Sequence, residues 1–407
     1  MSDIAAAKER LVEAVDQRAD VLIDTSHEIH AHPELGFEEH FAADRLTGIL
    51  EAEGLTVERA AYGLDTAFAA RAGDSGPLIA VMCEYDALPG LGHACGHNII
   101  ATAGLGAGLA AAALAGELGG RVLVLGTPAE EGGGGKAIMA ANGALAGVDA
   151  AMMVHPAGAD LTAMSVIAVQ RVFATYSGEA AHAAAFPQKG RNALDAMVLG
   201  YQAVAALRQH IRPDERIHGI FLEAGDKGNI VPARTRAEWY VRSPRDSTLA
   251  VLKERVATCL EAGATAAGCT VEFEWVEPRY LDMLDNGPMV ECYAANAATL
   301  GRTVVEPTRS LAPVVGSTDM GNVSHEVPSI HPMIKVSPPH VPIHSEEFVR
   351  WARSDDGDRA VLDGAKALAM TVADLWLRPE VLDAARDAFR AELAATDGST
   401  EGSPSRA

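Results

Sequence analysis

Three short apolar runs, Leu78–Cys83, Arg121–Gly126 and Ala150–Val154, alternate with longer Ala-rich stretches through the first 165 residues. Nothing else constrains the fold as tightly, because that rhythm reads as βαβ units and so demands a largely parallel sheet with helices on its faces. Ala101–Ala115, dense in Ala, Leu and Gly, reads as a buried helix lying close on the sheet. From about Val166 the text changes to alternation, as in VIAVQRVFATYSG, TRAEWYVRS and CTVEFEWVE, interleaved with helical stretches at Asn192–Gln209 and Ser247–Ala266. That strand, helix, strand, strand, helix, strand order predicts an antiparallel sheet carrying helices on one face. A chain of 407 residues is expected to form two domains. The expected division is an α/β domain from residues 1–166 and 285–392, an inserted α+β domain at 167–284, and a small-polar, disordered tail at 393–407.

In open α/β sheets, ligands sit beyond the carboxyl ends of the strands, so reactive side chains are sought in the loop after each run. The first is followed by EYDALPGLGHACGHN, with Asp86, His93, Cys95 and His97; the second by TPAEEGGGG, with Glu130 and Glu131; the third by His155. His344, in HVPIHSEEF, is a further candidate downstream. Thiolate, imidazole and carboxylate suit zinc and its divalent neighbours. Cys95 and His97, two apart across a glycine, can turn toward one point. Of the adjacent carboxylates Glu130 and Glu131, one can bind metal while the other takes a proton from water. Gly132–Gly135 would let backbone approach a ligand closely. A lone Cys is more often a small core residue, and a lone His or Glu pair is usually structural. Three strand ends supplying ligand types in one chain are harder to explain as packing, since burying unpaired ionisable groups costs several kcal/mol each. The H-x-E with P-C-x-x-C of zinc deaminases, H-E-x-x-H and G-x-S-x-G are all absent. Cys83, Cys259, Cys269 and Cys292 form no C-x-x-C pair.

The formal net charge of -22 argues against nucleic acid and anionic lipid as partners. The N-terminal text reads as a surface helix and not a signal peptide, and no apolar run free of a charge or Gly-rich break reaches the length of a membrane span. Five cysteines without framework spacing fit a reducing compartment, so a cytoplasmic location is expected.

HEIHAHPELGFEE, HACGHN, PAEEGGGGK, MMVHPAG and IHSEEF together resemble the amidohydrolase subgroup of the metallopeptidase family of aminoacylases, carnosinases and carboxypeptidase G. GEAAHAAAFPQKGRNALDA, GNIVPARTRAEWYVRSP and GSTDMGNVSHEVP bring the chain nearer to the p-aminobenzoyl-glutamate hydrolase and β-alanyl dipeptidase branches. The resemblance implies a zinc-exopeptidase-like, doubly wound catalytic domain with a ferredoxin-like lid and dimerisation domain inserted in it. It implies that Cys95, His97, Glu131, His155 and His344 bind two divalent ions, zinc or manganese, with cobalt or nickel as alternatives. Glu130 would be the general base, and Asp86 the acidic residue that orients a ligand imidazole. Glu84 takes a position that is a His ligand in other branches, and metal binding is not carried onto it. In the lid, His182 would reach a partner subunit's site and donate to the oxyanion, while Asn229 and Arg242 would hold the substrate. A surface salt bridge is nearly as good a reading of Arg242. The expected activity is hydrolysis of an N-acyl amino acid, a p-aminobenzoyl-glutamate-like conjugate or a small dipeptide by a homodimer whose lid closes on hinges near Val166 and Asp285. Alternatives are a β-alanyl-type dipeptidase and, from another class, a non-catalytic binding protein on the same fold.

Overall fold

The computed structural model describes residues 2–308 and 316–398. Six strands come from the first part of the chain: β1 (Thr56–Arg59), β2 (Phe68–Ala72), β3 (Leu78–Glu84), β4 (Arg121–Thr127), β5 (Ala150–Met152) and β6 (His155–Ala157). β7 (Ala168–Ser177), β8 (Arg216–Glu223), β9 (Arg234–Ser243) and β10 (Thr270–Trp275) follow, and then β11 (Ser329–Ile330) and β12 (Met333–Lys335). Two compact units result, one of Met1–Ser165 with Met283–Ala395 and one of Val166–Asp282. The sequence pattern places these junctions at 167 and 285; in the structure Met283 already packs against the first unit's core.

The larger unit has a six-stranded sheet in the order β1-β2-β4-β3-β5-β11. β4, β3, β5 and β11 run parallel. β1 and β2 are antiparallel, because no crossover helix joins β1 to β2 to reverse the direction. β3 is buried at every position. Its alternate residues feed two cores: Ile79, Val81 and Cys83 on one face, Ala80 and Met82 on the other. That burial of both faces is the doubly wound arrangement, and β6 pairs with β12 in a separate small sheet. On the first face lie the helices His97–Leu118 and Asp355–Leu377. The N-terminal text forms two helices, Ser2–Asp16 and Ala19–Ala31, whose Leu11, Val15 and Leu22 are fully buried, so it is part of the core as well as the surface.

The helix His97–Leu118 is long and apolar enough by length and composition to cross a membrane, but it is interrupted by glycines and 83% of its apolar window is buried inside the protein. Its glycines allow that fit: a Cβ at Gly104 would overlap the Met82 carbonyl, one at Gly108 the Val124 side chain, and one at Gly106 the side chains of Leu22 and Ala365. The helix Pro379–Gly398 also runs through residues expected in a disordered tail, since Ala394 and Ala395 continue its text and Gly comes only at its end. Residues 399–407 lie outside the described residues.

The second unit is an antiparallel sheet in the order β10-β7-β9-β8, with the helices Ala193–Leu207 and Asp246–Ala266 packed through Tyr176, Trp239, Val256 and Leu260. Inward residues of β7 alternate strictly with half-buried ones. On the edge strand β8, Ile220, Phe221 and Leu222 are exposed.

Candidate active site

The carboxyl ends of the parallel strands deliver the chemistry. β3 ends on Glu84 and is followed by Asp86; after β4, Pro128 and Ala129 lead to Glu130 and Glu131; His155 opens β6 just past β5; His331 follows β11. Cys95 and His97 flank Gly96, whose φ of 77° belongs to the left-handed region and whose missing Cβ leaves room for Pro156. His344 itself has a φ of 62°, and its N–H donates to the Ala94 carbonyl at 2.8 Å, tying the late segment to the Cys95 loop. Ala129, at φ 59°, holds a similar left-handed turn just before Glu130, pinned by its N–H donating to Glu39 Oε1 at 2.8 Å.

Cys95, His97 and His155 bring one donor atom each within 4.8 Å of the others, and so do Cys95, Glu131 and His344, with Cys95 common to both sets. All five residues that the resemblance implied as ligands therefore stand together. Cys95 Sγ is 3.4 Å from His155 Nε2, and His344 Nε2 is 3.3 Å from Glu131 Oε1. Glu84, His97 and Glu130 form a third such set. His97 Nε2 lies 3.0 Å from Glu84 Oε1, 3.8 Å from Glu131 Oε1 and 3.9 Å from Glu130 Oε2. Three of these atoms, Glu84 Oε1, His97 Nε2 and Glu131 Oε1, are buried without a hydrogen-bond partner. Buried polar atoms converging on one point with no hydrogen-bond partner are what a cation site presents before its ion is counted.

Charge balance points the same way. Glu84, Asp86, Glu130 and Asp319 are buried and Glu131 nearly so, and the one ammonium among them belongs to Lys136. Buried carboxylates thus outnumber the ammonium beside them, an excess of negative charge that divalent cations would offset. The groups respond accordingly. Burial and the charges of Glu84 and Glu131 push the Glu130 carboxyl well above its ordinary range. Burial opposes protonation of His97, yet Glu84, Cys95 and Asp86 together hold its pKa well above that of a free imidazole. Burial, reinforced by Glu131, raises the Cys95 thiol. Burial and the neighbouring His97 push His155 down to about 4, so it stays neutral and able to bind a metal. The donors present therefore fit a pair of divalent ions.

Asp86 supports two of them: Oδ1 is 3.0 Å from His97 Nδ1, and Oδ2 accepts the Glu131 N–H at 2.9 Å. Residues outside the sequence-based set also converge here. Lys136 is buried between Glu84 and Asp319; it directly follows the four glycines, a signal that was available. His331 packs edge-on against His155 with ring centroids 5.4 Å apart; β11, only two residues long, gave no signal for it. His93 stacks on His30 instead, with ring centroids 6.1 Å apart. The glycines serve protein contacts more than ligand approach: a Cβ at Gly133 would strike the Phe37 ring, and one at Gly135 the Pro128 carbonyl.

His182, Asn229 and Arg242 lie in the second unit. His182 is exposed, bridges to Ile230, and accepts from the N–H groups of Ala184 and Ala185 through Nδ1 at 3.3 and 3.2 Å. The Asn229 carbonyl accepts the Ala183 N–H at 3.0 Å, so the two segments are neighbours. Arg242, on β9, donates from Nε to His218 Nε2 at 3.3 Å.

Residues 80–373 match the model of Peptidase family M20/M25/M40. The chain is 38% identical over 406 residues to the Xaa-Arg dipeptidase of Mus musculus, covering 96% of this chain and 94% of that protein. It is 29% identical to a p-aminobenzoyl-glutamate hydrolase component of Escherichia coli (strain K12), covering 93% of each. Among solved structures, the Bacillus subtilis YXEP protein, a dinuclear metal binding peptidase from the M20 family, superposes with a TM-score of 0.69 at 21% identity, over 88% of this chain and 99% of that one.

Proposed function

The chain belongs to peptidase family M20/M25/M40 and is a metal-dependent amide-bond hydrolase, and we propose that it cleaves small dipeptides with a basic C-terminal residue. The observation that carries the chemistry is the convergence of Cys95, His97, Glu131, His155 and His344 with buried polar atoms that have no hydrogen-bond partner. Cys95, His97, Glu131, His155 and His344 would hold two divalent ions, zinc or manganese by preference. Divalent ions held there would polarise an amide carbonyl and acidify water. Glu130, as the ionised carboxylate, would accept a proton from the attacking water and return it to the leaving amine. Asp86 keeps a proton on His97 Nδ1 and so leaves Nε2 as the metal-facing atom.

Likeness to an Xaa-Arg dipeptidase along nearly the whole chain supports the substrate class. On the family resemblance, Arg242 would hold the substrate's carboxylate, Asn229 its carbonyl, and His182 would donate to the oxyanion in a partner subunit's site. A homodimer joined through the second unit is favoured by the apolar residues Ile220, Phe221 and Leu222 on its open edge strand. A thiolate ligand at Cys95 suits a reducing cytoplasm. The second reading, an N-acyl amino acid or p-aminobenzoyl-glutamate-like substrate, is favoured by the relative at 29% identity.

Metal-reconstituted protein assayed on Xaa-Arg, Xaa-Lys and neutral dipeptides, N-acyl amino acids and p-aminobenzoyl-glutamate tests the proposal. Dipeptides ending in Arg or Lys should give the highest kcat/KM, with activity abolished by chelation and restored by zinc, manganese or cobalt. Preference for p-aminobenzoyl-glutamate would select the second reading. No turnover of any amide by protein holding both ions would support the non-catalytic alternative.

A further inference from the structure

We propose that Glu39 positions the general base: by holding the Ala129 N–H it keeps the turn before Glu130 left-handed and so aims that carboxylate, an inference that rests on the general-base reading above. Glu39 closes the stretch HEIHAHPELGFEE, to which the proposed chemistry gives no role. It stands at the N-terminal end of the helix His40–Ala52, where an acidic side chain ordinarily accepts from the first free N–H groups. Glu34 performs that task instead, its two oxygens accepting the N–H groups of Phe41 and Ala42 at 2.9 and 3.0 Å. Glu39 is thereby released to cross to other elements. It is fully buried, Oε2 accepting from Thr66 Oγ1 at 2.7 Å and Oε1 from the Ala129 N–H at 2.8 Å. Thr66 is itself anchored, its carbonyl accepting from the Tyr85 hydroxyl at 2.6 Å just past β3. Burial pushes the Glu39 carboxyl above its ordinary range, and these hydrogen bonds offset part of the cost of keeping it in the interior.

Ala129 is where this anchoring matters. Its φ of 59° lies in the left-handed region, which disfavours any residue with a Cβ. Its carbonyl accepts the N–H groups of Gly133 and Gly134 at 3.0 and 2.8 Å, so the turn closes around Glu130 and Glu131. A Cβ at Gly36 would come within 2.9 Å of the Ala129 methyl, so the segment that carries Glu39 lies directly against the turn. The N–H held by Glu39 and the carbonyl held by the glycines fix the peptide units on both sides of Ala129. With them they fix the direction in which the chain enters Glu130. Removing the Glu39 oxygen frees Ala129 to relax toward negative φ and takes Glu130 with it. Glu39 touches no reacting atom and is a positioning residue.

The test uses full-length, metal-loaded protein and the amide it hydrolyses fastest, with circular dichroism to confirm the fold. Glu39→Ala should lower kcat about 10- to 100-fold, since a displacement of about 1 Å costs roughly 10²-fold, while KM stays within about threefold and both ions are retained. Glu39→Gln, which keeps an oxygen for the Ala129 N–H, should recover most of that rate. Adding Ala129→Gly to Glu39→Ala should raise kcat again by about fivefold or more, because glycine enters the left-handed region without the penalty. A buried acid that merely supports the core would not be relieved by deleting a methyl group from another loop. Wild-type kcat in folded Glu39→Ala, or a loss that Ala129→Gly leaves unrelieved, would overturn the proposal. Parallel loss of metal would also overturn it, by placing the effect on Glu131. If Glu130→Gln keeps wild-type turnover in the same assay, the general-base reading fails and this inference falls with it. Should Glu39→Ala not fold, Thr66→Val, which frees the carboxylate from its other anchor, takes its place: a loss of kcat that Ala129→Gly relieves supports the proposal, and no loss, or an unrelieved one, rejects it.

Discussion

Asp86→Asn isolates how the site is organised, because the change keeps shape and volume while removing one acceptor. Asp86 is 1% exposed, and its two carboxylate oxygens are separately engaged, Oδ1 facing His97 Nδ1 at 3.0 Å and Oδ2 accepting the Glu131 N–H at 2.9 Å. An Asn offers one oxygen and one NH₂ group, so in either orientation a buried N–H faces another donor. If the amide turns its NH₂ toward His97, the imidazole loses the partner that fixes its tautomer; if toward Glu131, the ligand loop after β4 loses its anchor. A hydrogen bond to a charged group contributes about 1.5–3 kcal/mol, and a buried donor left unmet costs about 1–3 kcal/mol. A net loss of about 2–3 kcal/mol corresponds to roughly 30- to 160-fold weaker metal binding. The assay is competition of the metal-free variant with a chromophoric chelator, with near-ultraviolet circular dichroism to confirm the fold. Affinity within threefold of wild type, on an unchanged dichroism spectrum, would refute the reasoning: Asp86 would then be a structural acid with no hold on the ligands.

Glu130→Gln should retain both ions while turnover falls at least about 10²-fold; metal analysis beside steady-state kinetics checks this, and parallel loss of metal would make Glu130 a ligand. Burial raises the Asp285 carboxyl from 3.8 to about 7, so the folded state holds a proton that the unfolded chain has released. Its stabilising share is present in acid and is lost as pH rises toward and through about 7, so Asp285→Asn should raise the unfolding midpoint at pH 8 by up to a few kcal/mol in stability and give no gain near pH 4. Thermal melts across that range check it, and a pH-independent difference would exclude the linkage. His182→Ala and Glu130→Gln, each inactive alone, should regain part of their activity when subunits exchange if the sites are shared across a dimer. A mixture as inactive as its parents, with exchange confirmed by mass, would confine His182 to its own chain.

What the sequence revealed follows from how each element is buried. β3 and β4 are covered on both faces, so their apolar runs were continuous and their loops could be searched for donors. β7 and β9 have one face half-buried, and alternation betrayed them. β11 and β12 span two and three residues, too few for any period to register, so His331 beside His155 went unnoticed. Glu84 shows a different limit. Its position beyond a strand was legible, but whether its carboxylate faces the site depends on Lys136 and Asp319, the latter 183 residues further along than the former. A pairing at that separation leaves no mark on local pattern. At 393–398 the expected tail is helical instead, because small-polar composition alone does not mark where the helix Pro379–Gly398 ends.

The glycines of the helix His97–Leu118 bear on stiffness at the reaction centre. Gly104 sits seven residues beyond His97, about 10 Å along the axis, and the helix there touches the Met82 carbonyl, with Leu22 and Ala365 at Gly106 and Val124 at Gly108. A rod wedged against backbone on one side and side chains on others has no slack, so an added methyl at Gly104 must shift the rod itself. His97 begins that rod, and Asp86 and Glu84 face it from the strand side within 3.0 Å. An error of a few tenths of an ångström deep in the interior would thus arrive at the ligand almost undamped. The centre is calibrated from below, and a screen for variants with altered metal preference should recover substitutions along this helix that never touch an ion.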